Sequence, residues 1–129
     1  MSAKFVVDKN SDFSFVMGKG GSSFGFWVEL KNNEGRSYLN IYKDLQGNLS
    51  AEPKESKELD FILAPGVEYL LRLTFDIHTE NDPRKEMVIE LFSEFNDYYT
   101  CSSSANAYGL PFYYSNSSLC TVFDYRLSV

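Results

Sequence analysis

Histidine occurs once in this chain, at His78, tryptophan once, at Trp27, and cysteine twice, at Cys101 and Cys120. With one histidine, any Ser-His-Asp or Cys-His mechanism would have to run through His78. Two cysteines and one histidine fall short of a four-ligand zinc site unless carboxylates complete it. No apolar run approaches the roughly 20 residues that span a bilayer. No long apolar segment of secretory type follows Met1-Ser-Ala-Lys4. Basic residues are also scarce: 12 Lys and Arg are scattered against 18 Asp and Glu, a net charge of −6. Without a basic stripe to neutralise phosphates, nucleic acid is excluded as the expected partner. A neutral or cationic partner, such as a sugar or a protein surface, fits better. Gly18-Lys-Gly-Gly-Ser-Ser23 is glycine-rich but lacks phosphate-loop spacing and opens no helix, so it reads as a flexible turn.

What is present is aromatic. The 129 residues are 43% apolar and 16% aromatic, with 11 Phe and 9 Tyr. Phe, Tyr and Val favour strands. Strand-like sequence begins by residue 4 and still runs at Val129. That pattern reads as one domain over residues 1–129, cut from a longer chain.

Lys4 to Asp8 reads as an opening edge strand, and Asp12 to Met17 as a half-buried strand with Phe13, Phe15 and Met17 on one face. Phe24 to Leu30 and Tyr38 to Tyr42 read as two antiparallel strands around an Asn33-Glu-Gly35 hairpin turn. Their inward sets are Phe24, Phe26, Val28, Leu30 and Leu39, Ile41. Trp27, Glu29, Tyr38, Asn40 and Tyr42 face the other way. Asp44 to Asn48 reads as a turn followed by a short strand near Leu49. Ala51 to Glu58 is the most charged section and reads as a surface loop or one helical turn. Leu59, Phe61 and Leu63 alternate as a strand, closed by Ala64-Pro-Gly66. Val67 to Ile77 is the longest strand. Residues 83–95 fit a strand through Met87–Phe92, although Val88, Leu91, Phe92 and Phe95 also fall at helical spacing; the preceding long strand needs a partner, which favours the strand. Asn96 to Asn116 reads as an irregular excursion, and Thr121 to Val129 closes the chain as a strand with Phe123, Tyr125, Leu127 and Val129 on one side.

Eight or more short strands separated by turns make an all-β fold, an antiparallel two-sheet β-sandwich of jelly-roll type. Three stretches carry a resemblance: Phe24-Gly-Phe-Trp-Val-Glu-Leu30 with its Tyr-Leu-Asn-Ile-Tyr42 return, Leu63-Ala-Pro-Gly-Val-Glu-Tyr-Leu-Leu-Arg-Leu-Thr-Phe-Asp76, and Val122-Phe-Asp-Tyr-Arg-Leu-Ser-Val129. They resemble the concanavalin A-like lectin and glucanase family, which includes laminin-G-like domains and carbohydrate-binding modules. The likeness covers most of the chain. It implies a jelly roll that binds sugars. Glucanase relatives carry paired carboxylates in a Glu-x-Asp-x-x-Glu-like motif that this sequence lacks, so a non-catalytic module is expected. Such jelly rolls often hold a structural calcium. Asp76, His78, Glu80 and Asp82 could offer oxygen ligands, but no strict calcium spacing appears and the expectation is no cofactor.

The expected ligand-binding residues are Trp27, Glu29, Tyr38, Asn40, Tyr42 and Arg72. Sugar C–H groups pack on aromatic faces, and hydroxyls pair with planar amide, carboxylate or guanidinium groups. The competing reading makes these aromatics a second layer of core. The excursion Tyr98 to Tyr114, rich in Tyr, Ser and Asn, has the composition of an adaptable recognition loop, or of a loop sealing one end of the core. Cys101 and Cys120 would either tie its ends, at about 3 kcal/mol, or be two buried thiols. The expected function is a glycan-binding, lectin-like module outside the cell or on a virion surface. The alternative is a protein-interaction or assembly domain of a surface or virion structural protein.

Overall fold

Every hydrophobic alternation in the sequence asks for a second surface to bury it, and the described residues meet that demand by folding into two facing layers, with ten strands among them. The computed structural model describes residues 1–8, 12–20, 26–43, 52–76, 86–93, 98–104, 110–115 and 120–126. The strands are β1 (Ser2–Val7), β2 (Phe13–Gly20), β3 (Phe26–Asn33), β4 (Arg36–Lys43) and β5 (Glu55–Glu58), then β6 (Glu68–Asp76), β7 (Glu86–Ser93), β8 (Tyr98–Ser104), β9 (Leu110–Ser115) and β10 (Cys120–Arg126). The first sheet runs β10-β1-β6-β7-β8 and the second β5-β4-β3-β2-β9. All strand pairs are antiparallel. The result is an all-β two-sheet sandwich consistent with a jelly-roll-like fold.

The core lies between the sheets. Phe13, Phe15 and Met17 of β2 and Phe26, Val28 and Leu30 of β3 meet Leu71 and Leu73 of β6 and Met87, Ile89 and Leu91 of β7. Phe5 of β1 bridges the layers, its ring 4.9 Å from Phe15 and 5.6 Å from Tyr69. Each such side chain contributes about 1.5–3 kcal/mol by leaving water. The hairpin between β3 and β4 is the expected one. Glu34 and Gly35 both take positive φ (52° and 78°), which matches the right-handed twist of the flanking strands.

Several sequence expectations change. β1 is not at an edge, because β10 and β6 flank it. An alternating pattern looks the same at an edge and inside a sheet, and both neighbours of β1 are remote in sequence. β2 continues through Gly20, where a turn was expected. The charged section ends in a strand after all: β5 pairs with β4 and all four of its residues are exposed. Charge there suits an edge that must not recruit another strand. Residues 59–63 form no strand; Leu59 and Leu63 are buried while Phe61 is half-buried and Ile62 is exposed. The segment is tied to Ser37 instead, whose carbonyl accepts from Leu59 N–H and whose Oγ accepts from Leu63 N–H, both at 2.8 Å.

Residues 86–93 are a strand, with Met87, Ile89 and Leu91 inward. The excursion expected over 96–116 contains two strands, β8 in the first sheet and β9 in the second. Cys101 and Cys120 lie on β8 and β10, at opposite edges of one sheet. Four strand spacings of about 4.8 Å separate those edges, far more than the Cα separation of roughly 7 Å that a disulfide tolerates. Cys101 carries a thiol and packs against the core. In β10 a bulge breaks the expected alternation. Lys4 pairs with Asp124 and Phe5 with Val122, so Phe123 is the extra residue. Val122 and Tyr125 both pack on the core while Phe123 is 52% exposed. The turn and strand expected over 44–49 lie outside the described residues, as do Leu127 and Val129.

Among the described residues no helix is long and apolar enough to cross a membrane.

Candidate functional site

The pairing register of the second sheet arranges its outward side chains as a grid. One row is Gly18, Trp27 and Tyr42; the next is Val16, Glu29, Asn40 and Ser56; the third is Ser14, Lys31, Tyr38 and Glu58. Phe112 and Tyr114 of β9 hold the register positions beside Gly18 and Val16. The sheet thereby gathers five of the six expected residues on one face. Side chains directly opposite across antiparallel strands come within about 5 Å, and diagonal ones remain within reach of long groups.

Glu29 is the centre of this grid. Its Oε2 accepts from Ser14 Oγ at 2.6 Å, and its Oε1 accepts from Asn40 Nδ2 and from Tyr42 Oη, both at 2.9 Å. Asn40 Oδ1 in turn accepts from Ser56 Oγ at 2.6 Å. Four strands are thus linked by side chains around one carboxylate.

The network fixes its own protons. Burial works to raise the Glu29 pKa, but the hydrogen bonds from Ser14, Asn40 and Tyr42, helped by Lys31, outweigh it and hold the carboxyl below its usual value. Tyr42 moves the opposite way, pushed well up by burial, by its bond to Glu29 and by the charges of Glu29 and Glu52. At neutral pH the phenol donates and the carboxylate accepts. A carboxylate so stabilised is a poor proton donor, since a general acid works best with a pKa near the operating pH. The arrangement is suited to holding a partner by hydrogen bonds.

Trp27 does not present an open stacking face. It is only 5% exposed and forms a small cluster with Val16, against which half-buried Tyr42 packs. That cluster is separate from the main core between the sheets, so Trp27 is no open platform; it belongs to a second, smaller layer of core, as the competing reading had it. Gly18 makes room for it. A β-carbon there would overlap the carbonyl of Phe26 and stand 2.8 Å from Trp27 Cα and 2.9 Å from Trp27 Cδ1.

Tyr38 is half-buried and Asn40 is buried at 8% exposure. Asn40 therefore positions Glu29 more than it meets a ligand. Arg72 does not join the site. It stands on β6, facing outward from the other sheet, where Nε and Nη2 each donate to Glu90 at 3.0 Å and the guanidinium lies 5.1 Å from the Phe92 ring centre. Its outward position was legible; the sheet to which it belongs was not.

Ser14, Val16, Gly18 and Ser56 were missed. The first three alternate with Phe13, Phe15 and Met17 and follow from that strand's own period. Ser56 carried no signal, because its segment read as a loop. The Tyr98–Tyr114 span is not one loop. Its Tyr113 stands 4.4 Å from Tyr125 and 6.5 Å from Phe15, across the seam between β9 and β10. Of the acidic set, His78, Glu80 and Asp82 lie outside the described residues, and among the described residues no group of three or more His, Cys, Asp or Glu could hold a metal ion.

No family model matches the sequence, and neither a curated protein nor a solved structure matches it.

Proposed function

We propose that the chain is a non-catalytic, lectin-like module that binds a glycan on the outer face of the second sheet. The observation that supports this is the Glu29 carboxylate, oriented in advance by Ser14, Asn40 and Tyr42 beside half-buried Tyr38. Among the described residues Glu29 accepts three hydrogen bonds, and a carboxylate offers about four lone-pair sites. A sugar hydroxyl donating to Glu29, with its C–H face over Tyr38 or Tyr42, would use both parts of the surface. The reading brings with it an extracellular or virion-surface setting within a larger protein.

Affinity electrophoresis through polysaccharide gels tests it. Retardation by at least one neutral polysaccharide is expected, with little dependence on salt. Glu29→Gln should remove the retardation while the unfolding transition remains cooperative. Unretarded migration through every polysaccharide and a blank glycan array would refute the proposal. Trp27→Ala is a poor probe here, because a buried side chain is lost with it.

A second reading, an assembly or protein-interaction domain, draws support from the exposed Tyr113 and Phe123 on the edge strands β9 and β10. It predicts concentration-dependent sedimentation, which a glycan module does not require.

A further inference from the structure

A concave feature lies at the end of the sandwich where β3 turns into β4, bordering the Glu29 grid at Glu58. Gly35, Arg36 and Ser37 form one wall, and Glu58 through Ile62 form the other, around a space of about 510 Å³. That is room for a small ligand, which the depression would hold from one side, because it is broadly open to solvent.

The walls are held from below. Ser37 Oγ donates to Asn32 Oδ1 and accepts from Leu63 N–H, while Asn32 Nδ2 donates to the Leu63 carbonyl at 2.9 Å. Leu59 N–H donates to the Ser37 carbonyl. Both ends of the 59–63 segment are therefore anchored to the hairpin; between them Asp60 and Ile62 are exposed, and Phe61 is half-buried against the core. Ser37 and Asn32 are buried, so this support does not compete with a ligand.

The lining has two chemistries. Leu59 and Phe61 give an apolar floor, and Ile62 stands beside it 56% exposed. Two carboxylates, Glu58 and Asp60, and a single guanidinium, Arg36, line the space as well, and Arg36 Nε is 3.7 Å from Glu58 Oε1. Both members of that pair are at least half exposed, so their mutual hold is weak. The lining has one negative charge in excess, in a chain whose net charge of −6 already draws cations.

We infer that this cleft binds an amphipathic amine: a small apolar body carrying one ammonium or guanidinium group. The body covers Ile62 and Phe61, and the cation takes Glu58 and Asp60. Arg36 acts as an internal competitor for Glu58. The same chemistry is offered by a free aryl or alkyl amine and by a Lys or Arg flanked by apolar residues in a partner peptide.

The test is a titration of the full chain followed by amide chemical shifts at low salt. Three probes are phenethylamine, the tripeptide N-acetyl-Leu-Lys-Leu-amide, and phenylacetate as an anionic counterpart of similar size. Saturable shifts confined to Gly35–Ser37 and Glu58–Ile62 are expected with the two cations and not with phenylacetate. Tighter binding of the tripeptide identifies a peptide source, and equal or tighter binding of phenethylamine a free amine. Glu58→Gln and Asp60→Asn should each weaken binding about threefold, the size of one exposed charge pair. Arg36→Gln should tighten it by a similar factor, because Glu58 is released. All three residues are exposed, and an unchanged unfolding midpoint shows that the fold is kept. Shifts that do not saturate, that appear equally with phenylacetate, or that weaken in Arg36→Gln would overturn the inference.

Discussion

The two outer faces of the sandwich are both polar, yet they are built differently. On the first sheet, Lys4 Nζ sits 3.7 Å from Glu68 and 3.9 Å from Asp124, and Arg72 pairs with Glu90, mostly with exposed side chains. Such pairs are screened by salt, and each contributes about 0–1 kcal/mol. On the second sheet, one half-buried carboxylate takes three donors beside a buried indole. A partner removed there leaves a polar group without compensation, which costs more than the bond itself contributed. The difference lies in depth. Outward direction and polarity are shared; among the described residues the second face alone has a carboxylate held by three side-chain donors.

Substitutions can break this contrast. The largest effect is expected from Trp27→Ala, which should lower the unfolding free energy by about 3–5 kcal/mol, as for other buried aromatics, read as a shift in the urea midpoint. Gly18→Ala comes next. Its methyl must displace the Phe26 carbonyl and the Trp27 backbone, and overpacking of that kind costs about 1–3 kcal/mol. A variant as stable as the parent would mean that the indole does not lie where we place it.

Glu29 sharpens the comparison through pH. Its folded pKa is lower than its unfolded value, so its stabilising contribution is complete above the ordinary carboxylate pKa, about 4.3. That contribution is lost as pH falls through the lower folded value. Urea midpoints measured downward from pH 6 should fall in that acid range for the parent, and Glu29→Gln should flatten part of the slope. An identical slope in the variant would remove Glu29 from the balance. The smallest effect belongs to the other face. Arg72→Ala should cost under about 1 kcal/mol, leave glycan retardation unchanged, and lose even that small difference in high salt.

Much of this could be read from the residues alone. Period-2 runs located β2, β3, β4 and β6; β7 followed from the need of β6 for a partner, and the Asn33-Glu-Gly35 turn fixed which residues of β3 and β4 face each other. Trp27 with Tyr42 and Glu29 with Asn40 follow from that one local register. What failed depends on partners far away in sequence. Whether β1 is interior, which sheet carries Arg72, and whether Cys101 can reach Cys120 are settled by pairings dozens of residues apart. Glu55–Glu58 was hidden because an edge strand uses charge where an inner strand uses Val or Ile. Tyr98–Ser104 and Leu110–Ser115 were hidden because their polar and aromatic residues do not alternate. The depth of Trp27 was also illegible, since a strand's period gives direction without giving exposure.

The extra residue at Phe123 separates deletion from substitution. Changing its side chain should matter little, because the ring is half in solvent. Removing the residue altogether would leave Val122, Asp124 and Tyr125 in consecutive positions opposite Phe5, Lys4 and Ala3, a regular ladder without the kink and added twist of the bulge. Val122 and Tyr125 would keep their inward faces, since positions two apart in a strand face the same way. The added residue is therefore what lets two inward side chains stand three positions apart, and its presence, more than its chemistry, bends the end of β10.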